Sequence, residues 1–144
     1  MENIQRYIKY IKTKELRAIK IINLEYIKRD LDNYSQDIEK EFSEEIKRIR
    51  EEVKKMKIWS ENNENSVKYY ETFENEKKFS ILMELCDESL TKFKQGKEFK
   101  SKEIYEIFRQ LNNTFEIMIK KDIVHRVLKP DNILIKKLKD GKYI

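Results

Sequence analysis

Two glycines, one proline, one cysteine and one histidine in 144 residues leave this chain short of the usual materials for tight turns and covalent cross-links. With Gly96, Gly141 and Pro130 alone, turns have to be read from clusters of Asn, Asp and Lys. A single cysteine, Cys86, excludes an intramolecular disulfide framework and fits a reducing compartment, the cytosol by default or the nucleus. No apolar run approaches the length of a membrane span, and the opening Met1-Glu2-Asn3-Ile4 has neither the basic nor the apolar region of a signal peptide, so no membrane is expected as a partner. Charge of one sign is scarce too. Lys and Arg number 32 against 27 Asp and Glu, a net +5 that is interspersed along the chain. A nucleic-acid binder would gather basic residues into a stripe with aromatic stacking partners, so no nucleic acid is expected. The run Ile135-Lys136-Lys137-Leu138-Lys139 is short and interrupted, as a solvated turn would be.

What the chain does have is enough apolar and aromatic residues, 39% and 11%, to fold despite 41% charged residues, and a length that suits one core. Tyr7 to Ile11 and Arg17 to Ile22 read as strands of a hairpin around Thr13-Lys14-Glu15. From Ser35 to Trp59, Ile38, Phe42, Ile46, Ile49, Val53 and Met56 recur in steps of three and four, one stripe of a long helix for which Ser35 is the expected cap. Val67, Tyr69 and Phe73, then Phe79, Ile81, Met83 and Leu85, mark two antiparallel strands around Glu74-Asn75-Glu76-Lys77. Ser101 is the expected cap of a second long helix with an apolar face of Ile104, Phe108, Leu111, Phe115, Met118 and Ile119, ending near Lys120-Lys121-Asp122. Pro130 then breaks any helix, and a structured loop leads into a short strand after Asn132. The fold class is α+β.

That last segment, His125-Arg126-Val127-Leu128-Lys129-Pro130-Asp131-Asn132, resembles the catalytic loop of eukaryotic-type protein kinases, His-Arg-Asp-Leu-Lys-Pro-x-Asn, in its serine/threonine-type version. Arg17-Ala18-Ile19-Lys20 resembles the third N-lobe strand of that family, whose Lys grips the nucleotide phosphates. Alternation places Ala18, Lys20 and Ile22 on one strand face, and an ammonium on an apolar face needs a carboxylate or phosphate to offset its desolvation. The resemblance makes the long helix the αC helix, which sends a Glu to that Lys. Glu52, at the edge of the apolar stripe, is preferred, and Glu45 has the same local pattern. Ser80 to Leu90 resembles the fifth strand and hinge. Met83 is then the gatekeeper, the backbone of Glu84 and Cys86 faces adenine, and Ser89 lies near ribose.

The resemblance implies a partial kinase fold. Residues 1–86 form an N-lobe lacking the first strand and glycine-rich loop, and residues 87–144 form the hinge exit and a partial C-lobe, with the chain cut short at both ends. It implies ATP and Mg²⁺ as ligands, with Lys129 and Asn132 as loop residues and Asn132 as a weak, partial metal position. The departure is Val127, where the family has the Asp that handles the proton of the substrate hydroxyl. Valine cannot, and loss of a general base lowers rates by about 10²- to 10⁴-fold. It also removes an acceptor that organises the loop. His125 reads as structural. The expected function is therefore a kinase-like, ATP-binding pseudokinase unable to transfer phosphate. Two alternatives are a non-catalytic protein-interaction module, its second helix seeking a protein partner or missing domain segments, and a part of a longer active kinase.

Overall fold

The computed structural model describes residues 4–9, 15–138 and 142–144, with the backbone alone described for residues 4–9. The chain divides into two compact units, one of residues 1–58 and 68–85, the other of residues 59–67 and 86–144.

In the first unit, β1 (Ile4–Lys9), β2 (Leu16–Asn23), β3 (Tyr69–Glu74) and β4 (Lys78–Glu84) form one antiparallel sheet in the order β1-β2-β4-β3. The expected hairpin is β1 and β2, with the first strand at Ile4–Lys9 and not from Tyr7 to Ile11; Ile11 and the turn residues Thr13 and Lys14 lie outside the described residues. β2 and β4 are both flanked on their two edges, and β4 carries the most buried side chains: Phe79, Ile81, Leu82 and Met83. An apolar run of this kind suits a strand covered on both faces. Its turn from β3 is made by Asn75, whose Oδ1 accepts from the amides of Lys77 and Lys78 at 3.0 and 2.9 Å.

A helix not foreseen from the sequence, α1 (Leu24–Asp32), follows β2 directly. Asn23 caps it by accepting from Tyr26 N at 3.1 Å, and Leu24, Ile27 and Leu31 form its buried face. This helix takes up part of the long interval between β2 and β3. The long helix α2 (Ile38–Ser60) starts later than Ser35. Its first turn is capped by Asp37, whose Oδ1 accepts from Lys40 N at 3.2 Å, while Ser35 Oγ accepts from Asp37 N one step earlier. The stripe foreseen for α2 is the face it buries: Ile46 and Ile49 are enclosed, with Ile38, Phe42, Val53 and Met56 half-buried.

In the second unit, α4 (Ser101–Lys120) is the main helix. Lys100 occupies the cap position expected for Ser101, and its amide donates to Glu103 Oε2 at 2.9 Å. The segment 59–67 is fastened to α4 by Thr114 Oγ1 donating to Asn65 O at 3.3 Å. Two short elements follow residue 86, both unforeseen: β5 (Glu88–Ser89) and α3 (Leu90–Lys94). β5 pairs with β6 (Leu134–Ile135), and a single 3₁₀ turn at Pro130–Asn132 precedes β6, with the proline at its first position, where a missing N–H costs nothing. Phe93 is buried between the rings of Phe99 and Tyr143.

Candidate functional site

The first unit holds the strand residues singled out above. Ala18 is paired in register with Met83 and Lys20 with Ile81, so alternation puts all four on one face of the sheet. Met83 and Ile81 are buried, which makes this a dry surface with one ammonium set into it. That ammonium is partnered: Lys20 Nζ stands 3.6 Å from Glu52 Oε1, with 22% of the lysine side chain exposed against 63% of the glutamate. At this separation the contact is an ion pair and not a hydrogen bond. Glu45, the other candidate, pairs with Arg48 on its own helix at 2.9 Å. Glu84 ends β4, its amide donating to Lys68 O at 2.8 Å and its carboxylate accepting from Lys68 N at 3.2 Å.

The second unit holds the rest. Cys86 is half-buried. Ser89 is the N-cap of α3, its Oγ accepting from Lys92 N at 3.4 Å. Asp87 ties the start of the unit to the strand after the loop, its amide donating to Ile135 O at 2.9 Å and its carboxylate accepting from Lys137 N at 2.7 Å. The loop therefore leaves through a short two-stranded ladder fixed at both ends.

Within the loop, Asn132 Nδ2 donates to Val127 O at 3.0 Å. The loop thus has one main-chain acceptor that any residue at position 127 supplies, while the valine side chain offers none. The Val127 side chain is 56% exposed, beside exposed Val124 and Leu128. Arg126 has a φ of 65°, a left-handed backbone that turns the chain between His125 and Val127. His125 presents its ring edge-on to Trp59, centroids 5.5 Å apart, and its buried Nδ1 has no hydrogen-bond partner among the described residues. Lys129 is exposed, with Nζ 3.9 Å from Asp131 Oδ2.

These residues fit the ligands of the family unequally. A lysine held in place by a carboxylate on an apolar strand face suits the phosphates of a nucleotide, because an ammonium has three donors and can serve both. Toward a magnesium ion Asn132 has one neutral oxygen to offer, and among the described residues no three of His, Cys, Asp and Glu gather.

Two contacts escaped the sequence. Arg50 on α2 grips Glu74 at the end of β3, and Trp59 flanks His125; 24 and 66 positions separate the members, and no local periodicity announces either pair. A groove of about 1000 Å³ floored by Leu24, Phe42 and Ile46 runs beside Arg50 and Glu74, and none of the singled-out strand residues lines it.

Comparison with known proteins agrees with this arrangement. The protein kinase domain family profile matches residues 6–143. Calcium-dependent protein kinase 5 of Plasmodium falciparum is 35% identical over 99 residues, 67% of this chain and 17% of that protein. The protein of the same name in Plasmodium berghei is 32% identical over 125 residues, 85% of this chain and 19% of that protein. Serine/threonine-protein kinase 33 of Bos taurus is 33% identical over 100 residues, 68% of this chain and 20% of that protein. The chain belongs to the protein kinase domain family, in the company of serine/threonine kinases, and spans about a fifth of the length of these relatives.

Proposed function

We propose that this chain is an adenine-nucleotide-binding, kinase-type domain that holds a nucleotide on Lys20 and does not pass its phosphate on through the loop at Val127. The observation that carries the binding half is the Lys20–Glu52 ion pair on the face shared with Ala18 and Met83. Nucleotide phosphates would bond the lysine that Glu52 holds in place, the hinge backbone at Glu84 and Cys86 would meet the base, and residues 87–144 would serve as the C-lobe portion. The catalytic half fails on chemistry: a hydrocarbon side chain at position 127 neither accepts a proton nor orients a hydroxyl. ATP binds weakly on this reading, with slight dependence on Mg²⁺, because Asn132 alone supplies little to a metal. The single cysteine suits work in the cytosol or nucleus.

The test is titration with ATP, with and without Mg²⁺, followed by radiolabelled phosphate transfer to the chain itself and to a basic protein, each against Lys20→Met. Binding that Lys20→Met abolishes, with no transfer above that control, is expected. Transfer above the control overturns the inactive reading, and indifference of binding to Lys20→Met overturns the site.

A second reading is favoured by α4. Ile104, Phe108 and Ile119 of its foreseen apolar face are 42%, 67% and 77% exposed, while Thr114 and Met118 are buried. We infer that this outer stripe docks against further protein, a partner or additional kinase segments, which makes the domain an interaction module with or without its nucleotide.

A further inference from the structure

The geometry points to Arg50 and Glu74 as a latch that holds α2 in the rotation at which Glu52 meets Lys20, which makes both of them positioning residues for the nucleotide lysine. Its consequence for ATP rests on the function proposed above; the latch itself does not.

The need for a latch follows from the packing of α2. This helix runs for 23 residues yet encloses only Ile46 and Ile49 fully. Apolar contact resists sliding and rolling weakly when most of the stripe is half-buried, since it has no direction of its own. Something directional has to fix the roll of the helix, and two cross-links to the sheet are present near its centre. One is Lys20 to Glu52, a single pair of atoms at 3.6 Å. The other is two-pronged: Arg50 Nε donates to Glu74 Oε2 at 3.2 Å and Nη2 donates to Glu74 Oε1 at 2.7 Å. A planar fork on a planar carboxylate constrains orientation as well as distance, which a point contact from a lysine cannot do.

Arg50 and Glu52 are separated by about 200° around the helix and about 3 Å along it, so any roll that withdraws Arg50 from Glu74 also displaces Glu52. Both anchors on the far side belong to one rigid ladder. Glu74 is paired across β4 with Phe79, and Lys20 with Ile81 from the opposite edge of the same strand. The helix is thereby pinned to β3 and to β2, at positions whose partners on β4 are two residues apart. The Arg50 guanidinium is held above its ordinary pKa by its hydrogen bond to Glu74 and by that carboxylate's charge. A further cross-link to α2, Lys28 to Glu39 at 2.6 Å, is a point contact thirteen residues, about 20 Å, from Glu52.

Zero-length carbodiimide coupling reads the pairing directly, because it joins an amine to a carboxylate only where they touch. The yield of the Lys20–Glu52 product, measured by peptide mass spectrometry, is normalised to that of Lys77–Glu25, an ion pair at 3.4 Å that does not involve α2. In Glu74→Gln, which keeps size and shape, and in Arg50→Met, the normalised yield falls about two- to fivefold, the range that a well-aligned exposed ion pair sustains. The charge-exchanged double variant Arg50→Glu with Glu74→Arg restores it. Affinity for a fluorescent ATP analogue falls by the same factor in the single variants. An unchanged normalised yield in Glu74→Gln overturns the latch, as does a double variant that folds by circular dichroism and stays low. If the unaltered chain binds no ATP analogue, the proposed function fails while the coupling yield still decides the latch; if it binds and both readouts ignore Glu74→Gln, the latch alone fails.

Discussion

One hydrogen bond at the loop separates what a side chain does from what a backbone does. Asn132 Nδ2 bonds the carbonyl of Val127, while the valine side chain stands 56% exposed. Val127→Asp is therefore expected to change stability by no more than about 0.5 kcal/mol, as surface substitutions do. Asn132→Ala removes the bond itself and is expected to cost about 0.5–1.5 kcal/mol. Urea denaturation of the two variants side by side checks both values, and a Val127→Asp change larger than that of Asn132→Ala would assign the organising role to the side chain after all. The loop residues were legible from the sequence because a motif of eight consecutive residues encodes them locally. The choice between Glu52 and Glu45 was not, because both sit at equivalent edges of the same helical stripe; their partners, Lys20 and Arg48, come from tertiary and helical geometry respectively.

At the scale of elements, alternation and period marked what they physically cause. β4 carries a continuous apolar run because the sheet buries it, β2 buries Ile22 of its apolar residues, and α2 carries a stripe because one side of it meets protein; β3 keeps Phe73 50% exposed, so its pattern marked a strand without marking burial. Elements that bury little left weak traces. α1 has nine residues and three buried side chains, and α3 has five residues and one, too few for a period to stand out. Their signals lay in the caps: Asn23 before Leu24, and Ser89 before Leu90. At α2 and α4 the cap lies two residues and one residue from the expected serine, because Ser35 and Asp37 compete within one turn, and because Glu103 reaches back to Lys100 N without needing a hydroxyl there. Asn23→Ala should lower stability by about 1 kcal/mol, in thermal or urea unfolding, if the cap holds α1. Ile81→Ala, at a side chain 1% exposed in the flanked strand, should cost about 2–5 kcal/mol by the same measurement. Equal losses for the two would mean that β4 is not the centre of the first unit's core.

For the whole molecule, the question is what the outer side of α4 is for. A helix stabilised by packing has one apolar side and one polar side. α4 turns Thr114 and Met118 inward, with Leu111 half-buried, and still presents Ile104, Phe108 and Ile119 to solvent one and two steps around the cylinder. Apolar side chains in a row on an exposed helix make a patch that water disfavours, and association of chains removes it. Mass measured by light scattering is therefore expected to rise with concentration, and a dye that brightens on apolar surface should bind. Phe108→Glu with Ile119→Lys should suppress both effects and leave stability within about 0.5 kcal/mol per site, since neither side chain is enclosed. The two new charges lie eleven residues, about three turns, apart on one side of the helix, so each acts on the patch independently. Suppression of association at unchanged stability assigns the stripe to docking; a loss of stability without a change in mass assigns it to the second unit's own core.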